Sequence, residues 1–142
     1  LSKSDKSLTA DAAMFRYSSE MSYYQTFHQK DAYLKAADQL AKKAAKDDYK
    51  TLRFVAEDIC KNYKDDPKVV KKAISLAQEA YDIQPNYDNL YFYTRTLLDA
   101  GEVDKALKVS TEALEEAKKK QGQEAIQIEG LVKFIQSKKD NG

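Results

Sequence analysis

Cysteine, histidine, proline, glycine and tryptophan are all scarce here: one Cys, one His, two Pro, four Gly and no Trp in 142 residues. Each shortage excludes something. With Cys60 alone there is no intrachain disulfide and no C-x-x-C, so thiol–disulfide chemistry is excluded and the redox compartment cannot be read. His28 as the only imidazole, among scattered carboxylates, gives no metal site of recognisable spacing. No glycine-rich phosphate loop is present. Net charge is lacking too: 24 basic residues face 23 acidic ones, so no overall field draws the chain to nucleic acid or anionic lipid. The local basic runs at Lys118–Lys120 and Lys138–Lys139 suit helix C-termini. No apolar run approaches the roughly 18 residues a membrane-spanning helix needs. The expectation is a chain without catalytic residues, cofactor, metal, nucleic acid or membrane insertion. Cys60 beside Ile59 reads as a buried, inert thiol, since a Cys60–His28 pair would have to form between distant segments.

What is present favours helix. Ala, Lys, Asp, Glu, Leu and Gln dominate, and ten tyrosines supply much of the aromatic surface. Residues 1–8 are polar and unpatterned and read as a disordered or linker segment. The start at Leu1 suggests a processed or excised piece. A first helix follows from about Thr9, with the stripe Met14, Tyr17, Met21, Tyr24 and Phe27. Together with Tyr23 and Tyr33 this region is more aromatic than one core stripe requires; core or edge packing is the simpler explanation, with packing against a neighbouring domain or chain as the alternative. His28–Asp31 break the stripe, and Asp31 reads as N-cap of a second helix whose face carries Leu34, Ala37, Ala41 and Ala44. After a charged loop at Ala45–Lys50, a third helix presents Leu52, Val55, Ala56, Ile59 and Tyr63. Asp66-Pro67 is a strong start for the fourth, because proline in the first turn sacrifices no hydrogen bond. Its face is Val70, Ala73, Ile74, Ala77, Ala80 and Tyr81.

Pro85 closes the fourth helix and Asn86–Asp88 open the fifth, with Leu90, Tyr93 and Leu97 inward. Ala100-Gly101 makes the next turn, glycine accepting positive φ at little cost. The sixth helix carries Val103, Ala106, Leu107, Ser110, Ala113 and Leu114 and runs to about Gln121. Gly122 breaks it, and a seventh holds Ala125, Ile128, Leu131, Val132 and Ile135. No segment alternates with period two, so the fold class is all-α. The small-residue seam A-x3-[A/S]-x2-A occurs three times, at Ala37, Ala73 and Ala106, with spacings of 36 and 33 residues. Such a period marks a stacked helical-hairpin repeat, in which small side chains let backbones approach closely.

Residues 88–118 resemble a tetratricopeptide repeat (TPR). Leu90, Tyr93 and Leu97 match its large first-helix positions, Gly101 its turn glycine, Ala106 and Ala113 its second-helix alanines, and Pro85 the preceding closing proline. Residues 56–85 fit more loosely through Ala56, Ile59, Cys60, Tyr63 and the alanines of the fourth helix. The first unit keeps only its second-helix alanines. Thr94 departs from a glycine-like position and Ser110 from a common aromatic. The resemblance implies a right-handed superhelix of three hairpins, about 9–47, 48–85 and 86–120, with a capping helix at about 123–138. It implies a non-catalytic scaffold binding a protein or peptide, which could be another domain of the parent polypeptide. First helices would line a concave groove, which places Phe54, Glu57, Lys61, Tyr91 and Arg95 as binding candidates. Asp88 and Phe92 occupy positions where a carboxylate clamp needs lysine and arginine, which disfavours an acidic-tail ligand.

A second resemblance covers residues 45–139. The acidic loop after the third helix, the basic alanine-rich fourth and the helix start at Asn86–Tyr93 are similar to the helical extension of some secreted bacterial thioredoxin-fold proteins. This implies an alternative: the accessory region of a thioredoxin-type oxidoreductase whose catalytic domain lies outside this chain, in a periplasmic or secreted setting.

Overall fold

The computed structural model describes residues 9–44 and 46–142. The 1–8 segment and Ala45 of the first charged loop fall outside the described residues. Seven helices and no strand occur among those described: α1 Ala10–Thr26, α2 Lys30–Lys43, α3 Tyr49–Tyr63, α4 Pro67–Ile83, α5 Tyr87–Asp99, α6 Val103–Lys119 and α7 Glu124–Asp140. The protein is all-α.

Local chemistry sets the boundaries. Thr9 caps α1, its hydroxyl accepting from the Ala12 N–H at 3.1 Å. Asp48 caps α3 by accepting from the Thr51 N–H at 3.1 Å and the Thr51 hydroxyl at 2.6 Å. Asp66 caps α4 ahead of Pro67, and Asn86 caps α5 by accepting from Asn89 N–H at 2.8 Å. Each satisfies a backbone donor that the helix itself cannot. At the end of α5, Gly101 adopts φ +82°, its N–H donating to Leu98 O and that of Glu102 to Leu97 O, both at 2.9 Å. This is the Schellman arrangement.

Several expectations for the N-terminal unit need correction. Asp31 is not the N-cap of α2. Gln29 holds that position without a side-chain hydrogen bond, and Asp31 sits inside the first turn. The cause is a second Schellman turn, in which His28 takes φ 54° and donates to Gln25 O while Gln29 donates to Tyr24 O. Without a glycine to mark it, the turn ends α1 early and leaves Phe27 at 58% exposure, outside the core stripe. The buried face of α2 is Tyr33, Ala36, Ala37 and Leu40, whereas Leu34, Ala41 and Ala44 are only half-buried. Tyr33, the largest fully buried side chain, rotates the helix toward itself. The charged loop is also shorter than expected, since Tyr49 and Lys50 already belong to α3.

Helices pack mainly on their chain neighbours: α1 with α2, α3 with α4, α6 with α7, and α5 between α4 and α6 with a further contact to α7. The core follows in series. Tyr17, Met21, Tyr33, Leu40, Val55 and Ile59 fill the first half; Leu90, Leu97, Ile128, Leu131 and Ile135 fill the second. Helix α4 serves both, giving Val69 and Ala73 to the first and Val70, Ile74 and Ala77 to the second. The α4 seam Ala73, Ala77 and Ala80 is fully buried, as close helix approach requires. Thr94, Thr96 and Ser110 are buried without loss because each hydroxyl donates to a carbonyl in the preceding turn of its own helix.

Polar contacts connect like positions of successive hairpins. The Lys72 ammonium of α4 meets Asp38 of α2 at 3.0 Å, 34 residues back. The Arg53 guanidinium of α3 donates to Asn89 Oδ1 of α5 at 3.2 Å, 36 residues on. Lys30, which opens α2, pairs with Asp66, the cap of α4, across the same 36-residue interval. Exposed pairs of this kind add little stability, because water screens them. Their value is geometric, because they join α2 to α4 and α3 to α5 at intervals of 34 and 36 residues.

Candidate functional site

The five groove candidates do not share one concavity. Phe54 and Glu57 line a hollow of about 330 Å³ between α3 and α5, together with Arg53 and Asn89. Arg95 lines a different hollow, with Phe134 and Lys138, while Lys61 and Tyr91 line neither. Tyr91 is 43% exposed with its ring 6.2 Å from that of Tyr87, and Arg95 reaches to 3.6 Å from Asp99. Lys61 is exposed and forms no ion pair among the described residues. The residue that organises the first hollow is Arg53, which the sequence reading passed over. Its guanidinium bonds Glu57 at 2.8 Å and Asn89, and lies 5.2 Å from the centroid of the Phe92 ring. The i,i+4 pair Arg53–Glu57 was the available signal.

A larger cleft, about 370 Å³, opens on the side of the second helices. Helices α4 and α6 form its walls, the start of α7 closes one end, and Leu90 and Tyr93 of α5 lie at its floor. Because α4 and α6 both pack on α5, the space between them remains open above those floor residues. The rim carries Asp82, Glu112, Glu116 and Glu124 against a single cation, Lys120. Glu116 bonds Lys119 at 3.1 Å, whereas Asp82, Glu112 and Glu124 make no ion pair among the described residues.

Two tyrosines face these carboxylates. The Tyr81 and Tyr93 rings lie 6.2 Å apart, inclined at 37°. Tyr93 is only 2% exposed, yet its hydroxyl bonds no described residue and is not sealed in the core, so it opens on the cleft. Burial pushes the Tyr93 hydroxyl above its ordinary pKa, with Asp82 and Glu102 adding to the shift. Burial also raises Tyr81, and Asp82, Glu124 and Glu112 reinforce it. The neutral phenols therefore persist beside a negative rim. Spacing alone assigns Tyr81 and Tyr93 to apolar stripes and gives Asp82, Glu112 and Glu124 no role. Only the convergence of α4, α6 and α7 brings them together.

Cys60 is half-buried rather than buried, near the Thr96 hydroxyl, and burial pushes its thiol up. His28 lies exposed in the α1–α2 turn. Among the described residues no three His, Cys, Asp or Glu side chains are placed to hold a metal ion, and no helix is long and apolar enough to cross a membrane. The architecture defines an all-helical array compatible with a helical repeat. Comparison with protein-family models, with curated proteins and with solved structures finds no match.

Proposed function

We propose that the chain is a non-catalytic scaffold of the tetratricopeptide type that binds a protein or peptide partner. In this reading three hairpins stack as a right-handed superhelix, α7 covers the open seam of the last hairpin, and the partner is held in the clefts between units. The observation that carries it is the cross-unit register, with Asp38 meeting Lys72 and Arg53 meeting Asn89 at intervals of 34 and 36 residues. Stacked hairpins present extended faces rather than one enclosed site, which suits polypeptide ligands. The raised pKa of Cys60 supports a non-catalytic role, because the neutral thiol is the poorer nucleophile.

Small-angle scattering tests the architecture. A superhelix gives a radius of gyration clearly above the roughly 14–15 Å of a compact globule of this length, and a value in that range would overturn the stacked array. Peptide-display selection on the folded chain tests the function. The expected result is recurrent sequences whose synthetic peptides bind one to one by calorimetry. Failure to enrich any sequence above an unrelated helical protein would count against the reading.

A further inference from the structure

We propose that the cleft between α4, α6 and α7 receives an arginine side chain presented by a basic, extended segment of a partner polypeptide. The inference rests on the reading of the chain as a peptide binder and names the chemistry of its ligand. Charge points to a cation, since four carboxylates face one lysine in a chain whose total is only +1. Three of those carboxylates, Asp82, Glu112 and Glu124, are unpaired among the described residues and so remain available to a ligand.

The second observation is independent of the acidic rim. Tyr93 is almost wholly buried, and its hydroxyl opens on the cleft without a protein partner. Because this oxygen reaches solvent through the cleft, it can accept from a donor that enters there. A cationic donor satisfies it, and burial, reinforced by Asp82 and Glu102, keeps the phenol protonated.

Arginine fits better than the alternatives. The half-buried Tyr81 ring offers a face for a planar guanidinium, and its five donors can divide between phenolic oxygens and carboxylates. An ammonium gains less from an aromatic face and has fewer donors. A bare metal ion does not fit, because the carboxylates do not converge to hold one. The cleft is large enough for one such side chain with part of its backbone, and Leu90 and Ile128 supply apolar contact for the methylene stem.

The test titrates the full chain into a fluorescently labelled Gly-Ser peptide carrying two arginines, read by anisotropy beside otherwise identical lysine and glutamate peptides. The arginine peptide is expected to bind about tenfold more tightly than the lysine peptide. The double substitution Asp82→Asn and Glu112→Gln should weaken it at least about tenfold. Tyr93→Phe keeps the ring and gives up no bond within the protein, so it should weaken binding several-fold at unchanged melting temperature. Equal affinity for the lysine peptide, or binding indifferent to the carboxamide variant, would overturn the proposal. Preference for the glutamate peptide would overturn it while leaving a peptide-binding scaffold standing. A dimer in sedimentation that the carboxamide variant dissolves would also overturn it, the cleft then belonging to a second copy. If neither these peptides nor any selected by display bind, the broader reading falls as well.

Discussion

Tyr33→Phe probes the packing of the N-terminal hairpin at a single atom. Tyr33 is fully buried, its ring 5.0 Å from that of Tyr63, and its hydroxyl donates to Asp58 Oδ2 at 2.6 Å. Hydrogen bonds to charged groups contribute about 1.5–3 kcal/mol. Asn62 keeps its own bond to the same oxygen at 3.1 Å, and Asp58 is only half-buried, so water recovers part of the loss. The lower end applies, about 1.5 kcal/mol. A chain of this length gains unfolding entropy of roughly 0.3 kcal/mol per degree, so the melting temperature should fall by about 5 °C.

The same bond has an alkaline signature. Folding raises the Tyr33 pKa, first through burial and then through Asp58, so the unfolded chain releases the phenolic proton first, near its ordinary value of 10.0. This stabilisation is complete below about pH 10 and is lost as the pH climbs from there toward the higher folded value. Urea unfolding followed by far-UV circular dichroism, at neutral pH and through the alkaline range, measures both effects. In Tyr33→Phe the alkaline decline should be shallower by about 1.4 kcal/mol per pH unit, one proton's worth. A loss under about 0.5 kcal/mol at neutral pH, with an unchanged alkaline slope, would refute the reasoning.

Three further outcomes check other parts of the structure. Gly101→Ala should cost about 1 kcal/mol in urea unfolding from left-handed strain alone, because an added Cβ meets no heavy atom within 4 Å; a much larger loss would mean a clash the structure does not show. The Lys30 ammonium holds the Asp66 carboxyl below its ordinary range, a contribution present above the unfolded carboxylate pKa and lost as the pH falls through the folded one. In Lys30→Met, NMR titration should find the Asp66 pKa higher, and no change would deny the α2–α4 contact. Cys60 should react with a thiol reagent far more slowly in the folded chain than in urea, and equal rates would contradict its burial against α5.

The parts legible in the sequence are those with local causes. Asp66-Pro67, Asn86 and Ala100-Gly101 each place a boundary through their own chemistry, and the structure keeps all three. The Ala73–Ala80 seam was readable for the same reason, since small side chains at helical spacing have one obvious use. The break at His28–Asp31 was legible, but the left-handed turn at His28 was not, because a non-glycine residue in that region gives no compositional sign. The face of α2 was harder to place, since the core-or-edge reading of the aromatic surplus leaves Tyr33 open and its burial sets the helix rotation. The acidic cleft was hidden for a different reason. Tyr93 belongs to a core stripe by spacing, and only the gap between α4 and α6 exposes its hydroxyl. Asp82, Glu112 and Glu124 are far apart in the chain and meet through tertiary structure alone.

Backbone-amide NMR during titration with the two-arginine peptide tests the central claim most directly, because it separates the two faces of the array. Binding in the cleft between second helices predicts shifts concentrated in residues 78–93 and 109–128. Shifts centred instead on Phe54, Glu57, Lys61 and Arg95, the face of the first helices, would contradict it.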